Sequence, residues 1–146
     1  MEWYAIDKEY VKYLRKYDEL VPDIDYKNRM KCFLGIVLTT TDDFDYFAPL
    51  TSYKPKFINM KNDIDFFKIQ DKSSNKIFGA IDINNMIPVM PKNYTKLTFE
   101  NLGEFREFKN NREKKSYWKL LKKESSFLNE KVILTNAEKL YHLKEQ

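Results

Sequence analysis

Seven successive apolar residues, Cys32-Phe33-Leu34-Gly35-Ile36-Val37-Leu38, constrain this chain more than any other feature. A run without alternation hides both of its faces, and one this short suits a central strand better than a helix. The stretch from Lys31 to Thr40 is therefore expected to be a buried strand. Asp42 and Asp43 supply a turn after it, and Phe44 to Pro49 returns as its antiparallel neighbour. Thr51 to Lys56 then reads as a loop opening at the end of that neighbour.

The rest of the chain divides into short strands early and helices late. Glu2 to Ile6 reads as a first strand, and Asp7 stands at a helix-cap position. Tyr10, Leu14 and Tyr17 follow at helical spacing with Val11 alongside, and Asp18 to Lys27 is a polar loop. Further strands are expected at Asp65 to Ile69, Ile77 to Ile83, Met86 to Met90 and Lys96 to Phe99, with a hairpin turn at Asp71 to Asn75. Tyr117, Leu120, Leu121, Glu124 and Leu128 fall on one helical face, as do Ile133, Ala137, Leu140 and Tyr141. The expected fold class is α+β, an antiparallel sheet or small barrel surrounded by helices, with a helical C-terminal region.

Composition sets the outer limits. The 146 residues fit one domain, residues 1–146, and three glycines with five prolines leave little room for a flexible linker. Charges occur throughout the N-terminal region and no apolar stretch approaches a membrane span, so a cytoplasmic protein without membrane contact is expected. A single cysteine, Cys32, excludes an internal disulfide and a cysteine-based zinc cluster, and its apolar run marks it as a core residue.

Histidine chemistry is equally constrained. His142 is the sole histidine, set in a helical pattern, which rules out a histidine pair within one chain. Asp42, Asp43 and Asp45 read as solvated turn residues rather than magnesium ligands. No glycine-rich phosphate loop and no nucleophile elbow are present. No metal or cofactor is expected, and an enzyme with this sequence must use hydroxyls, lysines, tyrosines or arginines.

Net charge is only +4, but it is unevenly spread. From Arg106 to Lys123 eight basic residues face two acidic ones, Glu107 and Glu113, which leaves +6 over that stretch. Arg112, Lys114, Lys115 and Lys119 are candidates for a phosphate-binding rim, with an ordinary solvated helix face as the alternative. The segment Ala48-Pro49-Leu50-Thr51-Ser52-Tyr53-Lys54 holds two adjacent hydroxyls and a nearby lysine. Hydroxyls can donate to a nonbridging phosphate oxygen while the ammonium compensates developing charge, although such pairs also serve simply as turns.

That segment, read with Trp3-Tyr4, Tyr10-Val11-Lys12-Tyr13-Leu14, Val21-Pro22, Lys31 before Phe33-Leu34-Gly35-Ile36-Val37-Leu38, and Met86-Ile87-Pro88-Val89, resembles the ToxN/AbiQ family of type III toxins, near its CptN-like branch. Tyr117, Leu120, Leu121, Phe127 and Leu128 continue the match in order. The resemblance implies an SH3-like barrel of the toxin-ribonuclease type. It implies metal-independent RNA cleavage by 2′-OH attack, leaving 2′,3′-cyclic phosphate and 5′-hydroxyl ends. The implied partners are cellular mRNA and a repeated antitoxin RNA pseudoknot, which closes toxin subunits into a ring.

By the same resemblance Tyr10, Lys31, Thr51, Ser52 and Lys54 match active-site positions. Tyr26 matches a further active-site tyrosine if the loop before Lys31 is one residue longer, and Arg29 can cover the same space. Tyr53 stands where the family carries proline and is a candidate for base stacking or for closing the loop. Lys56 joins it as a candidate RNA contact. The competing readings are a non-catalytic RNA-binding module and a protein–protein interaction domain.

Overall fold

The computed structural model describes residues 1–19, 21, 24, 31–36, 38 and 43–145. In chain order the strands and α-helices are β1 (Trp3–Ile6), α1 (Lys8–Arg15), β2 (Phe33–Ile36), β3 (Asp45–Ser52), β4 (Phe66–Gln70), β5 (Ile77–Asp82), β6 (Ile87–Val89), β7 (Tyr94–Lys96), α2 (Asn111–Ser126) and α3 (Glu130–Glu145). All pairings are antiparallel, in the order β4-β5-β3-β2-β1-β7, with β6 added to β3. The antiparallel sheet with helices is as expected. The strand path is open, with β4 and β7 at its ends and no pairing between them among the described residues.

β2 occupies the interior position its apolar run demands. Successive residues of a strand point to opposite faces, and here both faces are covered. Trp3, Ala5, Leu34, Ile36 and Ala48 enter a core with Leu121 of α2 and with Ile133 and Ala137 of α3. Ile6, Phe33, Phe47, Ile87 and Val89 enter a second core with Val11 of α1. The Trp3 indole donates to the Leu121 carbonyl at 2.8 Å, so this large buried ring keeps its polar atom satisfied.

β3 is longer than expected, because Thr51 and Ser52 continue the strand rather than opening a loop. Pro49 would ordinarily interrupt a central strand by removing a donor. The Leu50 N–H points to β2, donating to the Cys32 carbonyl at 3.0 Å. By alternation the position of the missing donor faces the other edge. There the ladder is already broken. Leu50 pairs with Ile81 and Phe47 with Ile87, so two residues, Ala48 and Pro49, stand against five, Asp82 to Met86. The surplus is folded into a 3-10 turn, Ile83–Asn85, pinned by the fully buried Ile83.

Two other expectations shift. The last strand is Tyr94–Lys96 rather than Lys96 to Phe99, because Leu97 turns into the core and Thr98 and Asn101 cap one another's backbone N–H groups at 2.9 and 3.2 Å. Asp45 begins β3 and accepts the Tyr94 hydroxyl at 2.7 Å, so it is a strand residue rather than a turn residue. Asp7 precedes α1 without a side-chain cap bond, whereas Asn110 caps α2 by accepting the Glu113 N–H at 2.9 Å. Among the described residues no helix is long and apolar enough to cross a membrane.

Candidate active site

Thr51 is placed by its neighbours on both sides. It pairs with Ala80 of β5, and the β2–β3 register of Phe33 with Pro49, continued by two residues, sets Lys31 across from it. Lys31 shares the face of Phe33 and Thr51, while Cys32 turns to the opposite face and meets the Tyr117 hydroxyl at 3.5 Å. β5 approaches β3 closely here. A Cβ on Gly79 would lie 2.4 Å from the Thr51 carbonyl oxygen, so glycine is what permits this spacing.

The end of β3 leads directly into a 3-10 helix, Pro55–Asn59, whose Phe57 is buried and meets the Phe66 ring edge-on at 5.3 Å. Between this helix and the turn after β5 lies a cavity of about 360 Å³. Thr51, Lys54, Lys56, Asp65 and Asp82 line it, with Asn85 at the turn. Asp82 reaches it because it is the first residue of the five-residue bulge, and its Oδ2 accepts the Asn85 amide at 2.8 Å.

The charges in this groove are mutually dependent. Burial pulls the Lys31 ammonium below its usual range, the positive charge of Lys54 adds to that, and Asp82 and Cys32 oppose it. Burial raises the Asp82 carboxyl, Asp65 adds to the rise, and Lys31 and Asn85 oppose it. Mixed, partly desolvated groups in a cleft are a candidate functional site. The arrangement sets an amine of lowered basicity near a second cation and a hydroxyl, groups of the kind that proton transfer and phosphate binding use.

The structure groups some of the sequence-derived candidates and separates others. Thr51, Lys54 and Lys56 line the groove, and Lys31 lies across the ladder from Thr51, within electrostatic reach of Lys54 and Asp82. Ser52 is exposed at the last position of β3, one step along the strand and so on its other face. Tyr53 is exposed, its ring 6.4 Å from Phe57. Tyr10 donates its hydroxyl to the Pro88 carbonyl on β6 and packs against the second core, which includes Phe33 on the Lys31 and Thr51 face. Tyr26 and Arg29 lie outside the described residues.

Arg112, Lys114, Lys115 and Lys119 belong to α2, which covers the face of the sheet opposite the groove. Lys114 sits over the Phe99 ring at 4.5 Å and borders a second cavity of about 470 Å³ with Arg106, Phe108 and Asn110. His142 is exposed, 3.5 Å from Glu138. Sequence reasoning missed Asp82, Asn85 and Asp65. The available signal was an aspartate closing an apolar strand just before two asparagines, Ile81-Asp82-Ile83-Asn84-Asn85.

A family model described as Toxin ToxN, type III toxin-antitoxin system, matches residues 2–146. The chain belongs to this family. Endoribonuclease ToxN of Pectobacterium atrosepticum is 34% identical over 108 residues, covering 70% of this chain and 61% of that relative. Endoribonuclease AbiQ of Lactococcus lactis subsp. lactis is 32% identical over 95 residues, covering 61% of this chain and 51% of its own length. The chain thus spans half to three fifths of the length of these curated relatives.

Among solved structures, the fold is similar to that of a bacterial antiviral system regulated by a processed non-coding RNA. The TM-score is 0.80 at 28% identity, over 100% of this chain and 87% of that one. A type III toxin–antitoxin structure, in which a non-coding RNA pseudoknot selectively inhibits the toxin, aligns with a TM-score of 0.76 at 27% identity. That match covers 96% of this chain and 77% of the other.

Proposed function

We propose that the protein is an endoribonuclease, the toxin of a type III toxin–antitoxin pair, and that its chemistry takes place in the Thr51 groove. The observation that carries this reading is Lys31 set across the ladder from Thr51, with Lys54 lining the cleft beside Thr51 and influencing the Lys31 charge. The names of the relatives, endoribonucleases both, and the pseudoknot inhibitor of the structural neighbour support it.

In this scheme the ribose 2′-OH attacks the adjacent phosphorus and the 5′-oxygen leaves. The products are a 2′,3′-cyclic phosphate and a 5′-hydroxyl. The 2′ proton goes to a base and the leaving oxygen gains one from an acid. Lys31, whose amine is more readily neutral than an exposed lysine's, is the candidate for one of these transfers. Lys54 offsets the charge that builds on the nonbridging oxygens, and Thr51 donates a hydrogen bond to them. Ser52 and Tyr53 meet the RNA where it passes the exposed end of β3, Ser52 through ribose or phosphate and Tyr53 by stacking.

The substrates are cellular mRNA and the precursor of the antitoxin itself, a repeated RNA pseudoknot that occupies the groove and closes toxin subunits into a ring. The basic outer surface of α2 provides a second contact for folded RNA, on the far side of the sheet. Such a two-sided interface suits a partner that wraps the protein. The sharing of β3 by β2, β5 and β6 supports reading the sheet as an open relative of the SH3-like barrel.

Incubating the purified protein with its cognate repeat RNA in EDTA and analysing the ends tests this reading. Cyclic-phosphate and 5′-hydroxyl termini are expected. RNA that is bound but intact would establish the non-catalytic RNA-binding module instead, and cleavage that needs an added divalent cation would overturn the metal-independent scheme.

A further inference from the structure

Asp82 has no place in the cleavage scheme above, yet the fold takes pains to present it. It is the residue at which β5 leaves the β3 ladder, and the five-against-two bulge turns it into the groove that Thr51 and Lys54 line. The bulge is itself anchored. Ile83 is fully buried beneath it, the Met86 N–H returns to the Ile83 carbonyl at 3.2 Å, and the Asn84 N–H donates to the Asp65 carbonyl at 3.2 Å. Asn85 then fixes one carboxylate oxygen of Asp82 at 2.8 Å.

Each element around the groove contributes a charge. Lys54 and Lys56 come from the segment after β3, Asp65 from the approach to β4 and Asp82 from the end of β5. Lys31, on the approach to β2, stands in one row with Thr51 and Ala80, two residues along β5 from Asp82 and on its face. Two lysines in one cleft repel. A carboxylate on the same floor gives the more buried of them a reason to stay.

We propose that Asp82 is the positioning residue for Lys31, holding its amine at the Thr51 end of the groove against the repulsion of Lys54, with Asn85 fixing the carboxylate that does so. The mutual influence of Lys31 and Asp82, each opposing the effect of burial on the other, agrees with this placement. The proposal rests on the reading of this groove as the site of RNA cleavage, but one of its tests does not.

An opposite charge nearby favours the protonated amine, so removing it lowers the pH at which Lys31 titrates. In Asp82→Asn, the limb of the pH–rate profile governed by Lys31 moves to lower pH, whether Lys31 acts as base or as acid. Asp82→Glu keeps the carboxylate and restores most of the profile, while Asn85→Ala moves it in the same direction by less. Independently of RNA, competitive acylation of lysines read by mass spectrometry follows Lys31 in the wild-type protein and in Asp82→Asn. At a fixed pH below its titration midpoint, Lys31 labelling rises several-fold in the variant, and labelling of the exposed Lys115 stays constant.

Superimposable Lys31 titrations in two folded proteins would overturn the proposal. So would a uniform loss of rate with an unmoved pH profile, which would make Asp82 a reacting group or a merely structural one. Absence of cleavage by the wild-type protein would instead sink the ribonuclease reading, and the labelling experiment would still decide the role of Asp82. Should Asp82→Asn melt early, Asn85→Ala provides the same comparison with the carboxylate intact.

Discussion

Lys31 and Cys32 are bonded neighbours that end in opposite environments. On the helical side of the sheet, Cys32 meets Tyr117, with Glu124 close by and Arg106 over the Tyr117 ring at 4.5 Å. This side is closed. Burial pushes the Cys32 thiol up to about 11, raises the Tyr117 hydroxyl well above its usual range and raises the Glu124 carboxyl to about 7. Burial drives all three groups toward their neutral forms, as a packed core requires. On the other side, Lys31 faces an open groove with two further lysines and two carboxylates, and its charge is contested rather than extinguished. Both sides desolvate ionisable groups, but the groove side does so beside an open cavity lined by both signs of charge.

The contrast breaks most readily at Lys31. Lys31→Ala is expected to lower cleavage of the cognate repeat RNA by roughly 10²–10⁴-fold, the cost of one positioned proton-transfer group. Ser52→Ala is expected to fall in the same range if the strand end contacts the ribose. Single-turnover cleavage with a thermal melt on the same samples checks this, since the melting temperature should hardly move. Wild-type-like rates in both variants would remove the site from this end of β3.

The helical side should respond in the opposite sense. Leu121 is 1% exposed and carries the carbonyl that receives the Trp3 indole. Leu121→Ala should cost about 2–5 kcal/mol in urea unfolding through the cavity it leaves. The cleavage rate per folded molecule should be retained. A large loss of rate without loss of stability would mean that the two sides are coupled more tightly than their separate packing indicates.

A smaller effect concerns the outer surface of α2. Replacing Lys114, Lys115 and Lys119 together by glutamine should flatten the slope of log affinity against log salt by about 2–3, if all three contact phosphates. An unchanged slope would confine the RNA to the groove side. Smallest of all is the titration of Glu124, which is 6% exposed. Its folded-state carboxyl titrates above its unfolded value, so the folded state binds the extra proton between about 4.5 and about 7. Stability from this group is full below that window and is lost as pH rises through it. Melting temperatures of Glu124→Gln against wild type should therefore differ in slope across that window and run parallel above it.

What could be read in the sequence was what local chemistry decides. The central strand followed from an apolar run that no amphipathic element tolerates, and the late helices followed from periodicity on Leu121, Ile133 and Ala137. Thr51 and Ser52 read as a loop in sequence, yet they continue the strand past Pro49. The bulge opposite Pro49 makes the missing donor harmless, and that bulge is a tertiary fact. Asp82 was invisible for the same reason. Its relation to Lys31 spans 51 positions of chain (82 − 31) and exists only once β5 pairs with β3. Lys31 is a candidate only through a family pattern, which records the outcome of folding without its cause, whereas Thr51 and Lys54 also follow from two adjacent hydroxyls with a nearby lysine.

The 3-10 turn after β5 also bears on how such a protein can change. Its three residues interrupt one long strand without disturbing the register on either side, since β5 pairs before it and β6 after it. Ile83 fixes the turn from below, while positions 82, 84 and 85 present side chains upward to the groove. The scaffold and the lining of the site are therefore written in alternate letters of the same short segment. Exchanging the upward letters alters the lining of the groove while the ladder stays intact, so this build lets the groove change by small steps that each leave a folded protein.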